Sequence, residues 1–297
     1  MPFEPSELIL NSDGSIYHLN LLPEDLADTV ITVGDPERVA SISKHFDRLE
    51  VQKTKREFHT HTGWCKKKRI TVISTGIGTD NIDIVFNELD ALANINFERR
   101  TLNETQKALS IIRIGTSGAI QEDIPIDSLL VSDMAIGYDG LLHFYESDAI
   151  RDLAFEKALA DHMKTPGFLS TPYIVEGSKH LKTIFTQEGI LNGITLTNAG
   201  FYGPQGRTLR LTPKVTDYNS KLSNFRYKDK KITNFEMETA GIYGMAKLLG
   251  HEAISLNAIL ANRITGEFSK NPNETISKLI AFVLEIISEK SLTFPSY

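Results

Sequence analysis

One cysteine, Cys65, and one tryptophan, Trp64, stand among 297 residues. A single thiol excludes an intrachain disulfide and a thiolate-rich zinc site, and it suits a reducing compartment. The apolar runs, such as Ile111 to Ile114 and Ala281 to Ile287, fall far short of the roughly 20 residues that cross a bilayer. The opening MPFEPSELILNSDGS lacks the basic start and long apolar stretch of a secretory signal. A cytoplasmic protein without membrane contact is expected. Positive charge is not in excess either: 32 Lys and Arg against 38 Asp and Glu leave a formal charge of -6, which argues against a nucleic-acid partner. Local arginines are still able to hold an anionic small molecule. Repeats, low-complexity tracts and long Pro/Gly/Ser linkers are also lacking, so one domain spanning 1–297 is expected.

What is present is an α/β rhythm. Short β-branched runs occur at Val30 to Val33, Ile70 to Ser74, Ile111 to Ile114, Leu129 to Ser132 and Ile254 to Leu260, with helical patterns between several of them. Apolar stripes predict helices over 82–93 and 238–249. A last helix is predicted from Pro272, with Asn271 and Glu274 forming a capping box and Ile276, Leu279, Ile280, Val283, Leu284 and Ile287 on one face. The polar stretch 96–108 reads as a surface insertion, and Cys65 to Arg69 as a solvated hairpin turn rather than a basic binding patch. His59, His61 and Cys65 lack the carboxylates that would complete a metal site, and no metal is assigned.

Five stretches carry chemistry. Val33-Gly34-Asp35-Pro36-Glu37-Arg38 runs from strand through glycine into a helix, where free amides and a nearby guanidinium suit an anion. Alone, such a turn is ordinary. Ser74-Thr75-Gly76-Ile77-Gly78-Thr79-Asp80-Asn81 is a second glycine loop; Asn81 stands where a dinucleotide fingerprint needs its third glycine, so only close backbone approach is inferred. Arg113 lies in the apolar run Ile111-Ile112-Arg113-Ile114 and needs a partner. A buried carboxylate is one reading. The following Gly115-Thr116-Ser117-Gly118, rich in donors and short of acceptors, favours the other, an exogenous anion. Finally, Phe201-Tyr202-Gly203-Pro204-Gln205-Gly206-Arg207 offers a ring and, if extended, an amide and a guanidinium on one face, a combination able to read the edge of uracil. A solvent-facing turn is the plainer reading of these residues. Asn234-Phe235-Glu236-Met237-Glu238 sets two carboxylates at a helix start, where dipole compensation is ordinary and ribose binding the sharper alternative.

In order, VGDPERV, STGIG, IRIGTSGAI, FYGPQGR, NFEMETAG and ANR resemble the nucleoside phosphorylase family, from about His18 to the final helix. The resemblance implies a central mixed twisted β-sheet, partly barrel-like, flanked by α-helices, with an N-terminal arm over about 1–28. It implies that Gly34, Arg38, Arg113 and Thr116 hold phosphate, joined by Arg56 of a neighbouring subunit. His18 would cross the same interface to the ribose, and Met237 and Glu238, with Glu236 beside them, would hold the sugar. Thr116, Gly118, Phe201, Gln205 and Arg207 would bind the base. Arg263, in Leu260-Ala261-Asn262-Arg263, falls where purine enzymes of the family carry a proton-donating aspartate, and with Gln205 and Arg207 it points to a pyrimidine, uridine first. Arg113, Glu238, Arg207 and Arg263 are thus the expected catalytic set. No cofactor is expected, phosphate being a substrate, and a homo-oligomer of at least two subunits, extending to a hexamer in some relatives, is implied. Asn81 replaces a serine found near an interface monovalent-cation site in some relatives, which counts against such a cation at Glu57. The alternatives are a purine enzyme using a carboxylate such as Glu267, a nucleosidase using water, and a non-catalytic nucleoside-binding protein.

Overall fold

Each of the five β-branched runs becomes a strand, extended at one or both ends. The computed structural model describes residues 2–164 and 171–292. In chain order it contains β1 (Thr29–Val33), α1 (Pro36–Ser43), β2 (Arg48–Lys55), β3 (Phe58–Cys65), β4 (Lys68–Ser74), α2 (Thr79–Asn94), β5 (Ile95–Asn96) and β6 (Thr101–Leu102). There follow β7 (Ser110–Ala119), β8 (Leu129–Gly137), α3 (Leu153–Met163), β9 (Tyr173–Glu176), α4 (Lys179–Phe185), β10 (Leu191–Thr197), α5 (Tyr218–Asn224), β11 (Ile232–Glu236), α6 (Thr239–Leu248), β12 (Glu252–Asn262) and α7 (Pro272–Glu289).

The main sheet runs β11-β10-β8-β12-β7-β1-β4-β3-β2, with β9 added on β8. Strands β4, β1, β7 and β12 are parallel neighbours, so the glycine loops after β1 and β4 open at one edge, whereas Gly115 to Gly118, read from sequence as a loop, continue β7 as strand paired with β12. Ligands of parallel α/β sheets bind at that carboxyl edge. Strand β11 is parallel to β10 but also turns antiparallel onto β7, through Asn234 opposite Ala119 and Phe235 opposite Gly118. That second pairing closes β7, β12, β8, β10 and β11 into a five-stranded barrel, as the partly barrel-like expectation requires.

Burial follows the apolar stripes. Ile82, Val85, Phe86 and Leu89 of α2 are buried, as are Leu279, Ile280, Val283, Leu284 and Ile287 of α7, whereas Ile276 is only partly covered. The capping box expected at α7 does not form, because the Asn271 side chain makes no cap bond and Glu274 pairs with Lys278 at 2.8 Å. Asp127 secures this end instead, accepting from Ser269 Oγ and Thr275 Oγ1 at 2.6 Å each. The hairpin turn at Lys66 is as read, with that residue at φ 53° between β3 and β4.

The insertion at 96–108 is tied down more firmly than its polarity suggests. Strands β5 and β6 form a small hairpin, and the Arg100 guanidinium donates to the carbonyls of Phe3 and Glu4 at 2.8 and 2.9 Å. Further along the arm, one carboxylate on α2, Glu88, accepts from the amides of His18 at 3.0 Å and Leu19 at 2.8 Å, and meets His18 Nδ1 at 2.7 Å. Removing Glu88 strands these amides, each unmet buried donor costing about 1–3 kcal/mol. Glu88→Ala should therefore make the segment before β1 cleavable in limited proteolysis while the barrel stays intact; a cleavage pattern like that of wild type would show that other contacts hold the arm.

Candidate active site

Arg113 is 5% exposed, and its guanidinium is held by two carboxylates. Nη2 lies 2.6 Å from Glu238 Oε2 and 3.0 Å from Glu236 Oε2, while Nη1 donates to Asn257 Oδ1 at 3.1 Å. The buried carboxylate partner, the reading set second to an anion, is therefore present, and the acceptors missing from Gly115 to Gly118 arrive from β11 and β12, which are distant in sequence but adjacent in the barrel. Burial alone would depress Arg113, but Glu236 and Glu238 outweigh it and raise it above its usual value, so the guanidinium stays charged. Burial pushes the Glu238 carboxyl upward, Arg113 opposing and Glu236 adding to the rise.

Glu236 is saturated by the protein. Its Oε1 accepts from Thr197 Oγ1 at 2.6 Å, and its Oε2 accepts from the amides of Glu238 and Thr239 at 2.9 Å each. These are free donors at the start of α6, so the carboxylate closes that helix end as a cap does. Glu236 thus positions Arg113 and the Glu238 backbone. Glu238 Oε1 accepts from the Gly78 amide at 2.8 Å, which gives the second glycine loop its purpose. Gly78 has φ 102° and Gly76 φ 71°, a left-handed path, and a Cβ on Gly76 would sit 2.4 Å from Asn81 Nδ2.

Arg38 reaches from α1 to the end of β7, donating to the Ile114 carbonyl at 3.2 Å. Burial lowers its pKa and the like charge of Arg113 adds to this, against Asp35 and Glu238, so the two guanidinium groups share one field. Gly34 sits beside the second glycine loop, its Cβ position 3.4 Å from the Gly76 carbonyl oxygen. Thr116 is half-buried where β7 leaves Arg113, and Met237 is half-buried between the two glutamates.

The second cluster lies beyond Gly118, where a Cβ would be 3.7 Å from Arg263 Cγ. The segment 201–207 is not extended, as its sequence reading assumed. Gly203 to Gln205 form a 3-10 turn, closed by Gly206 at φ 66°. The turn nevertheless brings the pair together: Arg207 Nη1 donates to Gln205 Oε1 and to the Phe201 carbonyl at 2.6 Å each, and its guanidinium stacks 3.7 Å from the Phe201 ring centroid. Gln205 is buried and Phe201 exposed. Burial, and then the like charge of Arg263, lower Arg207 to about 10, which leaves it protonated at neutral pH. Arg263 is itself lowered by burial, and among the described residues its Nη1 has no hydrogen-bond partner. Glu267, the alternative proton donor, accepts from Thr265 Oγ1 at 2.9 Å within its own exposed loop.

His18 and Arg56 join neither cluster. His18 is engaged by Glu88, and exposed Arg56 occupies the β2–β3 turn at φ 54° with its guanidinium 5.8 Å from the Tyr17 ring. Among the described residues, neither bonds to Arg113, Glu238, Gln205 or Arg207. Glu57, next to Arg56, places its Cγ 3.1 Å from the Cβ position of Gly76.

Comparison with known proteins fits this geometry. The sequence matches the Phosphorylase superfamily over residues 28–288. The chain belongs to that superfamily. A uridine phosphorylase of Thermococcus kodakarensis is 31% identical over 293 residues, 97% of this chain and 92% of the relative. A DeoD-type purine nucleoside phosphorylase of Buchnera aphidicola is 28% identical over 277 residues, 92% of this chain and 99% of the relative. Among solved structures, a Trypanosoma brucei nucleoside phosphorylase described as showing uridine phosphorylase activity superposes with a TM-score of 0.86 at 26% identity, covering 96% of this chain and 100% of that one. The nucleoside phosphorylase fold is therefore established for this superfamily member.

Sequence reading missed the residues that hold this superfamily's first cluster in place here. Asn257 and Ser255 alternate within the buried run of β12, and two polar residues at period two in an otherwise apolar strand were a usable sign of an inward-facing partner. Thr197 gave no such sign. Gly115 is also part of the assembly, for a Cβ there would fall 1.7 Å from Arg113 Nη1. Gly115→Ala must displace the guanidinium from its carboxylates. An uncompensated buried charge costs about 3–5 kcal/mol, and urea unfolding should register a loss of that order; an unchanged midpoint would show that the arginine relocates without cost.

Proposed function

We propose that this protein is a cytoplasmic pyrimidine nucleoside phosphorylase that converts uridine and phosphate to uracil and ribose 1-phosphate. The observation that carries this reading is the pairing of two arginine clusters. One, Arg38 with Arg113 beside Gly34 and Thr116, suits phosphate; the other, Arg207 with Arg263 around Gln205, suits an oxygen-rich base. Glu238 lies at the first cluster, placed to accept from the ribose hydroxyls while Met237 packs on the sugar. A phosphate oxygen attacks C1′ as the C1′–N1 bond breaks, and the bonding pair leaves on the uracil ring. Positive charge on the sugar is stabilised by the phosphate beneath it, and the charge on uracil by Gln205, Arg207 and Arg263. Loss of one such donor costs about 3 kcal/mol, roughly a hundredfold in rate.

An arginine does not donate a proton as a purine leaving group requires, and the tether of Glu267 within its own loop weakens the purine alternative. The exposed Arg56 and the arm-borne His18 act, in this reading, on the site of a neighbouring subunit, which makes the working unit at least a dimer. Arg56 then adds to the phosphate set.

Incubation with uridine, thymidine, inosine and adenosine, with and without phosphate, should release uracil fastest and only when phosphate is present. Equal release without phosphate would make the enzyme a hydrolase, and no release from any nucleoside would leave a binding protein. Glu238→Gln, which keeps the shape and loses the charge, should slow ribosides about a hundredfold and 2′-deoxyribosides far less. Equal losses, accompanied by a raised KM for phosphate, would mean that the carboxylate acts through Arg113 rather than on the 2′-hydroxyl.

A further inference from the structure

A cavity of 390 Å3 lies beside the base-reading turn, with Gly203 and Pro204 of that turn in its wall. Its other walls come from the carboxyl ends of β8 and β10 and from Pro213, Lys214 and Val215 ahead of α5. Tyr138 and Asp139 follow β8, Asn198 follows β10, and Tyr218 opens α5. None of Arg38, Arg113, Gln205, Arg207, Glu238 or Arg263 lines it.

Two polar atoms in this wall have no hydrogen-bond partner among the described residues, the Tyr138 hydroxyl and Asn198 Nδ2. The residues are 8% and 1% exposed, a depth at which an unmet donor costs about 1–3 kcal/mol. The Asn198 amide is oriented by Tyr218, whose hydroxyl donates to Asn198 Oδ1 at 3.3 Å, leaving the NH2 group uncommitted. Burial raises the Tyr138 pKa far above its usual value, so this hydroxyl remains a donor. Asp139 supplies an acceptor: it takes the Tyr173 hydroxyl at 2.8 Å, the Leu141 amide at 2.9 Å and the Thr79 hydroxyl, and each carboxylate oxygen accepts more than one donor. The Tyr138 and Tyr218 rings, 6.2 Å apart and edge-to-face, together with Pro204, supply flat apolar surface.

We propose that this cavity is a second binding site, for a small uncharged planar ring that carries a lactam edge. The ring carbonyl accepts from Tyr138 and Asn198, and the adjacent N–H donates to Asp139. A cavity of this volume accommodates one such ring. Because Gly203 and Pro204 form part of its wall, an occupant braces the turn that presents Gln205 and Arg207. The site stands independently of the reaction assigned to the arginine clusters.

The probe is 5-fluoro-2-pyridone, a lactam ring without a sugar, followed by 19F NMR on the intact protein. Binding is expected to broaden and shift its signal. Tyr138→Phe, which removes only the orphan hydroxyl, and Asn198→Leu should each weaken binding about tenfold, whereas Arg207→Ala should leave it unchanged. Retained binding in Tyr138→Phe together with loss in Arg207→Ala would place the ring in the base-reading cluster and overturn the proposal, as would the absence of any signal change with wild-type protein. If Asn198→Leu does not fold, Tyr138→Phe alone decides.

Discussion

A guanidinium buried in the middle of a sheet sets the terms for the rest of this fold. Arg113 would be intolerable in β7 without anionic company, and the barrel is built so that β11 and β12 bring Glu236, Glu238 and Asn257 to it. Glu236 also ends α6 by taking two of its free amides, and Glu238 fastens the loop that opens α2 through Gly78. Two helices, three strands and a glycine loop thus converge on one cation. Their relative positions are fixed by electrostatics as much as by packing. Such an arrangement is preorganised: its dipoles are oriented before a ligand arrives, which is what an ionic transition state rewards.

The same interaction shows how far a linear reading reaches. Strand existence was legible because β-branched runs are a local signal, and so was the stripe of α7, with Leu279, Val283 and Ile287 on its core face. The glycine after β1 was legible as a strand-to-helix turn, and the loop after β4 as a close backbone approach. Arg113 itself was visible as an anomaly, but its partners were not, since Glu238 is 125 residues away and the antiparallel return of β11 onto β7 leaves no local trace. The engagement of Glu236 was hidden for a related reason: a carboxylate before a helix looks free until Thr197, from another strand, is seen to donate to it.

The segment 201–207 behaves in the same way. Gln205 and Arg207 were paired by an argument from extended geometry, and they meet through a tight turn instead. Two residues apart in sequence is compatible with both. At α7 the capping box had the right letters but the wrong bonds, because the Asn271 amide donates to Ser269 Oγ and Glu274 turns to Lys278. Local motifs propose hydrogen bonds, and tertiary neighbours decide among them.

Strand β2 lies at the far end of the sheet path, where a row of backbone groups faces outward. An open edge of this kind invites a second chain to add itself as another strand. Here the outward sequence Arg48-Leu49-Glu50-Val51-Gln52-Lys53-Thr54-Lys55 is mostly charged or polar, and its register shifts between Leu49 and Val51. Indiscriminate stacking of sheets is discouraged along its length, yet the strand ends in Arg56, held in a left-handed turn. The edge can therefore stay in water without seeding aggregates, while its tip remains exposed.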